Sequence, residues 1–268
     1  MITSSANPKV KQVALWQAKG KERRRAGVFL TEGFKMFEEA PEERLREVYL
    51  TSEALEKVSE TPGMKEKLMR AGYEEVTPEV FRKMSDTQTP QGILCVVERP
   101  EYELERLLTV PRPLLLVVEG LQDPGNLGAI VRTGEGAGVT GIIMSVGTVD
   151  IFHPKTIRAT MGSIYRVPFV WAEDLTKVMG MLREKGIHSF AAHLEGKRYY
   201  DSFSFREGTA FLIGNEGAGL GRELARRADD YLKIPMEGKV ESLNAAIAAS
   251  LLMYEAHRQR NGSSDTLN

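Results

Sequence analysis

Cysteine is nearly absent: Cys95 stands alone among 268 residues, which excludes an intrachain disulfide and fits a reducing compartment. It sits in the apolar run 93–97, Ile-Leu-Cys-Val-Val, and reads as a packing residue, not a nucleophile. Histidine is scarce, and His153, His188, His193 and His257 show no ligand spacing, so no metal is expected. His188 and His193 flank a predicted strand and read as surface or hydrogen-bonded residues. The pattern Gly-x-Ser-x-Gly is missing, which leaves an esterase elbow without support. No apolar run approaches the roughly 18 to 20 residues of a membrane span. Met1-Ile2-Thr3-Ser4 lacks the basic start and apolar core of a signal peptide. A cytoplasmic location with no membrane partner is therefore expected. Neither charge sign dominates: 36 basic and 37 acidic side chains leave a net charge of -1, so the protein is not basic all over.

What is present falls into two parts. With 268 residues, 42% hydrophobic and 27% charged, the chain has the mass and composition for two globular cores. Asn7-Pro8 supplies an N-cap followed by proline at the first helical position and predicts a helix to about Lys19. Strands at 28–31, 45–50, 73–76 and 92–98, with helices at 34–39, 53–59, 63–70 and 78–84, complete an α/β unit over residues 1–99. Pro100, Pro111 and Pro113, set around a charged stretch, mark 100–112 as a linker. Lys9, Lys11, Lys19, Lys21, Arg23, Arg24 and Arg25 gather near the start, with Glu22 the one acid among them. Such a cluster suits a phosphate backbone, and equally a solvated helix face followed by a basic loop.

Beyond residue 112 the pattern changes. Leu114-Leu-Leu-Val-Val118 is continuously apolar, as in a parallel strand buried on both faces. Runs at 141–144, 187–192, 210–213 and 231–234 repeat it, with helical stretches at 127–137, 174–185 and 220–228. A parallel α/β domain over 113–260 follows, with a disordered tail at 261–268. The last helix, Ser242 to about Gln259, carries Leu243, Ile247, Leu251 and Tyr254 as an apolar stripe, while Ala245, Ala246, Ala248, Ala249 and Ser250 keep the remainder small. Gly136-Ala-Gly138-Val-Thr-Gly141 spells a dinucleotide fingerprint. It follows a helix and leads into a strand, the reverse of what pyrophosphate binding needs.

Three turn-rich segments close apolar runs: Asp123-Pro-Gly-Asn126-Leu-Gly-Ala-Ile-Val-Arg132-Thr, Phe211-Leu-Ile-Gly214-Asn215-Glu216-Gly217-Ala-Gly219-Leu220, and Ile234-Pro-Met236-Glu-Gly-Lys-Val-Glu-Ser242-Leu243-Asn244-Ala-Ala246. Such places gather backbone groups and a few polar side chains around a ligand. Each also has a plainer reading, since Asn126 and Ser242 can cap helices and Glu216 can pair with an arginine. In this order and spacing, over roughly 113–258, they resemble the three signature motifs of the SpoU (TrmH-type) RNA 2'-O-ribose methyltransferases of the SPOUT superfamily.

The resemblance implies a parallel-sheet SPOUT domain with a deep trefoil knot. Through Ile2-Thr-Ser4, Asn7-Pro8 and Glu32-Gly33, the N-terminal unit resembles the small α/β/α RNA-binding domain of ribosomal-protein type that precedes it in many such enzymes. S-adenosyl-L-methionine is the implied methyl donor, held by Leu212, Gly214, Asn215, Gly217, Ile234, Met236, Ser242 and Leu243. Arg132 is implied as the central catalytic residue and Asn126 as the group orienting it and the RNA phosphate, with Glu216, Ser242 and Asn244 completing the site. A homodimer is implied as well, its subunits jointly forming the RNA site. Structured RNA is the implied partner, ribosomal RNA before transfer RNA, with Lys9, Lys11, Arg23, Arg24 and Arg25 as candidate contacts. The other reading is a non-catalytic RNA-binding or ribosome-assembly factor of the same fold, against which the motif residues argue.

Overall fold

The computed structural model describes residues 1–193, 195–239 and 242–262. From residue 263 on, the expected tail lies outside the described residues, whereas Asn261 still belongs to the last helix. Packing divides the chain into two units. The first joins Met1–Glu101 to Asp150–Tyr165, and the second joins Tyr102–Val149 to the chain from Arg166 onward.

The first unit runs α1 (Pro8–Ala18), α2 (Gly20–Ala26), β1 (Val28–Glu32), α3 (Phe34–Glu39), β2 (Leu45–Leu50), α4 (Ser52–Glu60), α5 (Met64–Ala71), β3 (Glu74–Glu75), α6 (Pro78–Met84) and β4 (Ile93–Glu98). Its sheet has the order β1-β4-β2-β3, antiparallel except for β2 with β3. The Asn7 side chain caps α1 by accepting from Lys9 N at 2.9 Å. Val10 and Val13 of that helix pack with Val28, Leu30, Tyr49, Val80, Phe81 and Leu94.

The segment Asp150–Tyr165 carries sequence expected in the C-terminal domain, yet it completes this first core. The Phe152 ring lies 4.9 Å from that of Phe29, and Tyr165 Oη donates to Met36 O at 3.0 Å. Arg23 secures the segment from the other side. Buried at 3% exposure, it donates to Trp16 O (2.7 Å) and Gln17 O (3.1 Å) at the end of α1 and to Asp150 Oδ2 (2.9 Å). Arg23 is therefore removed from the candidate RNA contacts, because its charge is spent inside the fold. Lys9 pairs with Glu74 at 2.5 Å and Arg25 with Glu22 at 2.8 Å, while Lys11 and Arg24 are exposed.

The chain continues with α7 (Leu104–Leu108), β5 (Leu114–Val118), α8 (Pro124–Ala137), β6 (Gly141–Ser145), α9 (Pro154–Thr160, in the first unit), β7 (Phe169–Ala172), α10 (Leu175–Glu184), β8 (His188–Ala192), β9 (Arg198–Tyr199), β10 (Thr209–Ile213), α11 (Arg222–Arg227), β11 (Asp230–Lys233) and α12 (Ala245–Asn261). The second sheet, β7-β6-β5-β10-β8-β11-β9, is parallel throughout. β5 and β10 are buried along their whole length, which accounts for their unbroken apolar sequences. Among the described residues no helix is long and apolar enough to cross a membrane.

Five elements escape the sequence patterns: α2, α7 inside the proline-flanked stretch, α9, and the short strands β7 and β9. Helix α7 buries Leu107 and Leu108, and a Cβ on Gly141 would stand 2.4 Å from Leu107 Cδ2. Gly138 ends α8 at φ 78°. Helix termination and close packing thus account for these two glycines of the apparent dinucleotide fingerprint.

Removing Arg23 strands Asp150 and two helix-end carbonyls. Arg23→Ala is expected to cost about 3 kcal/mol in urea unfolding, whereas Arg24→Ala stays within about 0.5 kcal/mol. Equal, small losses for both would show that Arg23 does not hold the segment.

Candidate functional site

In the second sheet the chain passes from β5 to β6 on one side and from β10 to β11 on the other, so strand order reverses between β5 and β10. Ligands of open parallel sheets bind outside the carboxyl ends of the strands at such a reversal. A cavity of about 400 Å³ opens beside that reversal, on its β10 side, at the ends of β8, β10 and β11 and next to the start of α12. Leu212, Gly214, Asn215, Gly217, Ile234, Met236, Ser242 and Leu243, assigned from the sequence to a cofactor, all line it. So do His193 and Lys233, which carried no sequence signal because the pairing of β8 with β11 brings them in.

Tight backbone geometry shapes the loop after β10. Asn215 and Gly219 exchange backbone hydrogen bonds of 3.0 and 2.9 Å, and Gly219 has φ 70°. A Cβ on Gly214 would lie 2.2 Å from the Gly219 carbonyl carbon, so only glycine fits there. Asn215 Oδ1 accepts from Gly217 N and Ala218 N, both at 2.9 Å, while Nδ2 donates to Gly120 O at 2.8 Å. Gly221 N donates to the Glu119 carboxylate at 2.6 Å.

The Glu216 carboxylate joins this loop to the one after β5. It accepts from Gln122 N (3.0 Å), Asp123 N (2.9 Å) and Asn126 Nδ2 (3.0 Å). Asp123, not Asn126, caps α8, accepting from Asn126 N at 2.8 Å, which leaves the Asn126 amide free for other bonds. Asn126 Oδ1 accepts from Asn244 Nδ2 at 2.9 Å. Asn244 Oδ1 then caps α12, accepting from Ala246 N (2.9 Å) and Ile247 N (3.3 Å). Burial alone would push the Glu216 pKa up. Donation from the Asn126 amide and the Asp123 and Gln122 N–H groups outweighs it and holds the carboxyl below its ordinary value.

Asn126, Glu216 and Asn244 thus form one chain of hydrogen bonds, and the other two expected catalytic residues lie apart from it. Ser242 is an exposed lining residue of the cavity and does not cap α12, which begins at Ala245. Arg132, farther along α8, is exposed and makes no hydrogen bond or ion pair with any described residue. The faces of α12 also divide differently from the sequence pattern. Ala246, Ala249 and Ala256 are buried with Leu252 and Met253, whereas Ile247, Leu251 and Tyr254 of the apolar stripe are 53%, 38% and 50% exposed. This buried face of α12 packs on α8, with Met253 Sδ 3.7 Å from where a Cβ on Gly134 would stand, an ordinary van der Waals contact.

The sequence model of the SpoU rRNA Methylase family matches residues 113–254, and that of an MRM3-like substrate binding domain matches residues 7–95. The chain is 34% identical to the Bacillus subtilis 23S rRNA (guanosine(2553)-2'-O)-methyltransferase RlmP, over 94% of this chain and 97% of that protein. Among solved structures it is similar to an AdoMet-bound rRNA methyltransferase from Sinorhizobium meliloti, with a TM-score of 0.85 and 30% identity over 96% of this chain and 97% of that one. It is also similar to the SpoU methyltransferase AviRb from Streptomyces viridochromogenes in complex with AdoMet, with a TM-score of 0.83 and 28% identity over 95% and 98% of the two chains.

Because the folded Glu216 pKa is depressed, its stabilisation is complete above the ordinary glutamate value of about 4.3 and is lost as pH falls through the folded value. Glu216→Gln is expected to cost about 1 kcal/mol at pH 7, the low end for a charged hydrogen-bond group because the side chain is exposed. It should also decline less steeply than wild type below about pH 4.3. Urea midpoints from pH 7 to 3 check this, and identical acid slopes would show that the carboxylate is not held by these donors.

Proposed function

This chain belongs to the SpoU rRNA Methylase family, and from that premise we propose that it transfers a methyl group from S-adenosylmethionine to a ribose 2'-hydroxyl of structured RNA, ribosomal RNA before transfer RNA. One observation carries the proposal: a single cavity is lined by the second and third motif segments, and Glu216, Asn126 and Asn244 tie those segments to the first. The cavity fits the cofactor. Its volume of about 400 Å³ lies within the ordinary range for small-molecule sites, and Leu212, Leu220, Ile234 and Leu243 offer apolar walls to an adenine ring beside the exposed backbone near Gly214. When bound, S-adenosylmethionine supplies a sulfonium methyl group open to attack by an oxygen nucleophile.

The protein's part is to align that oxygen and to stabilise the charge it develops. Arg132, exposed and without a partner among the described residues, fixes a phosphate beside the target ribose and stabilises the emerging 2'-oxyanion. A guanidinium remains charged in proteins, so it serves as a cation and not as a base, and the 2'-proton leaves to phosphate or water. Asn126 and Asn244, engaged at both ends, set the starts of α8 and α12, and Glu216 anchors them. Ser242 contributes a hydroxyl to the cavity wall.

RNA binding falls to the N-terminal unit, through Lys9, Lys11, Arg24 and Arg25. A homodimer belongs to the proposal, supported by the outward apolar stripe Ile247, Leu251 and Tyr254, which borders a groove of about 420 Å³. A trefoil knot and a cytoplasmic setting complete it, both carried by the family. No step is routed through a metal, and among the described residues no group of three or more His, Cys, Asp or Glu side chains is placed to hold one.

Single-turnover methyl transfer to rRNA, with digestion to nucleosides, tests the proposal. Arg132→Ala is expected to slow transfer about 100-fold or more, and Arg132→Lys less, since it keeps the charge and loses the planar fork. Both should bind cofactor normally by calorimetry. A wild-type rate for Arg132→Ala would place the active site elsewhere. Cofactor binding by the wild-type chain without transfer to rRNA or tRNA would favour the non-catalytic factor.

A further inference from the structure

His193 lies directly after β8 and lines the cavity. Its orientation is fixed from several sides. The backbone N donates to Leu232 O at 3.0 Å, the ring packs on Tyr231 with centroids 4.9 Å apart, and Nδ1 accepts from Glu195 N at 3.2 Å. A neutral imidazole that accepts at Nδ1 carries its proton on Nε2. Among the described residues nothing accepts that proton.

An inventory of the cavity's polar side chains singles this group out. Asn215 is committed to Gly217, Ala218 and Gly120. Glu216 can only accept, and it already holds three donors. Donor hydrogens remain on Ser242, on Lys233, on His193 and as the second hydrogen of the Asn215 amide, whose orientation is already set by its bonds to the loop. Lys233 carries its charge on a flexible stem and would be repelled by a sulfonium. Ser242 is a freely rotating hydroxyl, whereas the His193 donor is held in place. An N–H on a cavity wall is satisfied by water until a ligand displaces it, and then costs free energy unless the ligand accepts from it.

We infer that His193 contacts the cofactor, its Nε2–H donating a hydrogen bond to an acceptor of bound S-adenosylmethionine, an inference that rests on the methyl-transfer reading above. The candidate acceptors are a ring nitrogen, a ribose oxygen and the carboxylate.

Calorimetry on the full chain tests this with S-adenosylmethionine and with 5'-methylthioadenosine, which lacks the carboxylate. His193→Phe keeps an aromatic ring against Tyr231 and removes the donor, and should weaken S-adenosylmethionine binding about tenfold. His193→Gln restores a donor and should stay within about threefold of wild type. Cofactor-free thermal midpoints should be unchanged in both. A parallel loss for 5'-methylthioadenosine places the acceptor on the adenosine half, and a loss confined to S-adenosylmethionine places it on the carboxylate; either supports the contact. Wild-type affinity in His193→Phe overturns it, as does an equal loss in His193→Gln, which would mark a packing role. A wild-type chain that bound neither ligand would overturn the methyl-transfer reading itself, and this contact with it.

Discussion

A carboxylate can only accept hydrogen bonds, and at Glu216 that one-sidedness sets the polarity of the whole site. Facing it, Asn126 must present its NH2 group, so its carbonyl oxygen turns toward Asn244. Asn244 must answer with its own NH2, and its remaining oxygen is left to cap α12. Two amides that would otherwise be free to flip are thereby oriented by one charge. Through them the loop after β10, the loop after β5 and the first turn of the last helix hold a common geometry. The same carboxylate gathers the Gln122 and Asp123 N–H groups just ahead of α8.

The parallel sheet makes this arrangement possible. Because β5 and β10 are neighbours, segments separated by about ninety residues emerge side by side. The close turn at Gly214 keeps the loop after β10 folded back on itself, and the Asn215 amide fastens it to Gly120. Arg132 projects from α8 unpaired by any described residue, available to an anion. The apolar walls and the charged chain therefore stand next to each other without mixing, as methyl transfer from a cationic donor to RNA requires.

Much of this was legible in the sequence because the informative residues act locally. Turn glycines, the Asn7-Pro8 helix start and the buried parallel strands announce themselves over a few positions, and the cavity collects all eight residues that the family resemblance assigned to a cofactor. Features set by distant packing were not legible. Arg23 reads as one more basic surface residue until Asp150, 127 positions away, is found against it. Which face of α12 points inward depended on what met α8, and the buried face combines Ala246, Ala249 and Ala256 with Leu252 and Met253, leaving the apolar stripe outside. His193 gave no signal because its place follows from strand order alone.

Glu216 orients Asn244 through Asn126 although the two do not bond to each other. A double-mutant cycle in urea unfolding, using Glu216→Gln, Asn244→Ala and the pair, measures that transmission directly. A coupling of at least about 0.5 kcal/mol between them is predicted. Additivity to within about 0.3 kcal/mol would contradict it, and would mean that the two residues stabilise their loops independently.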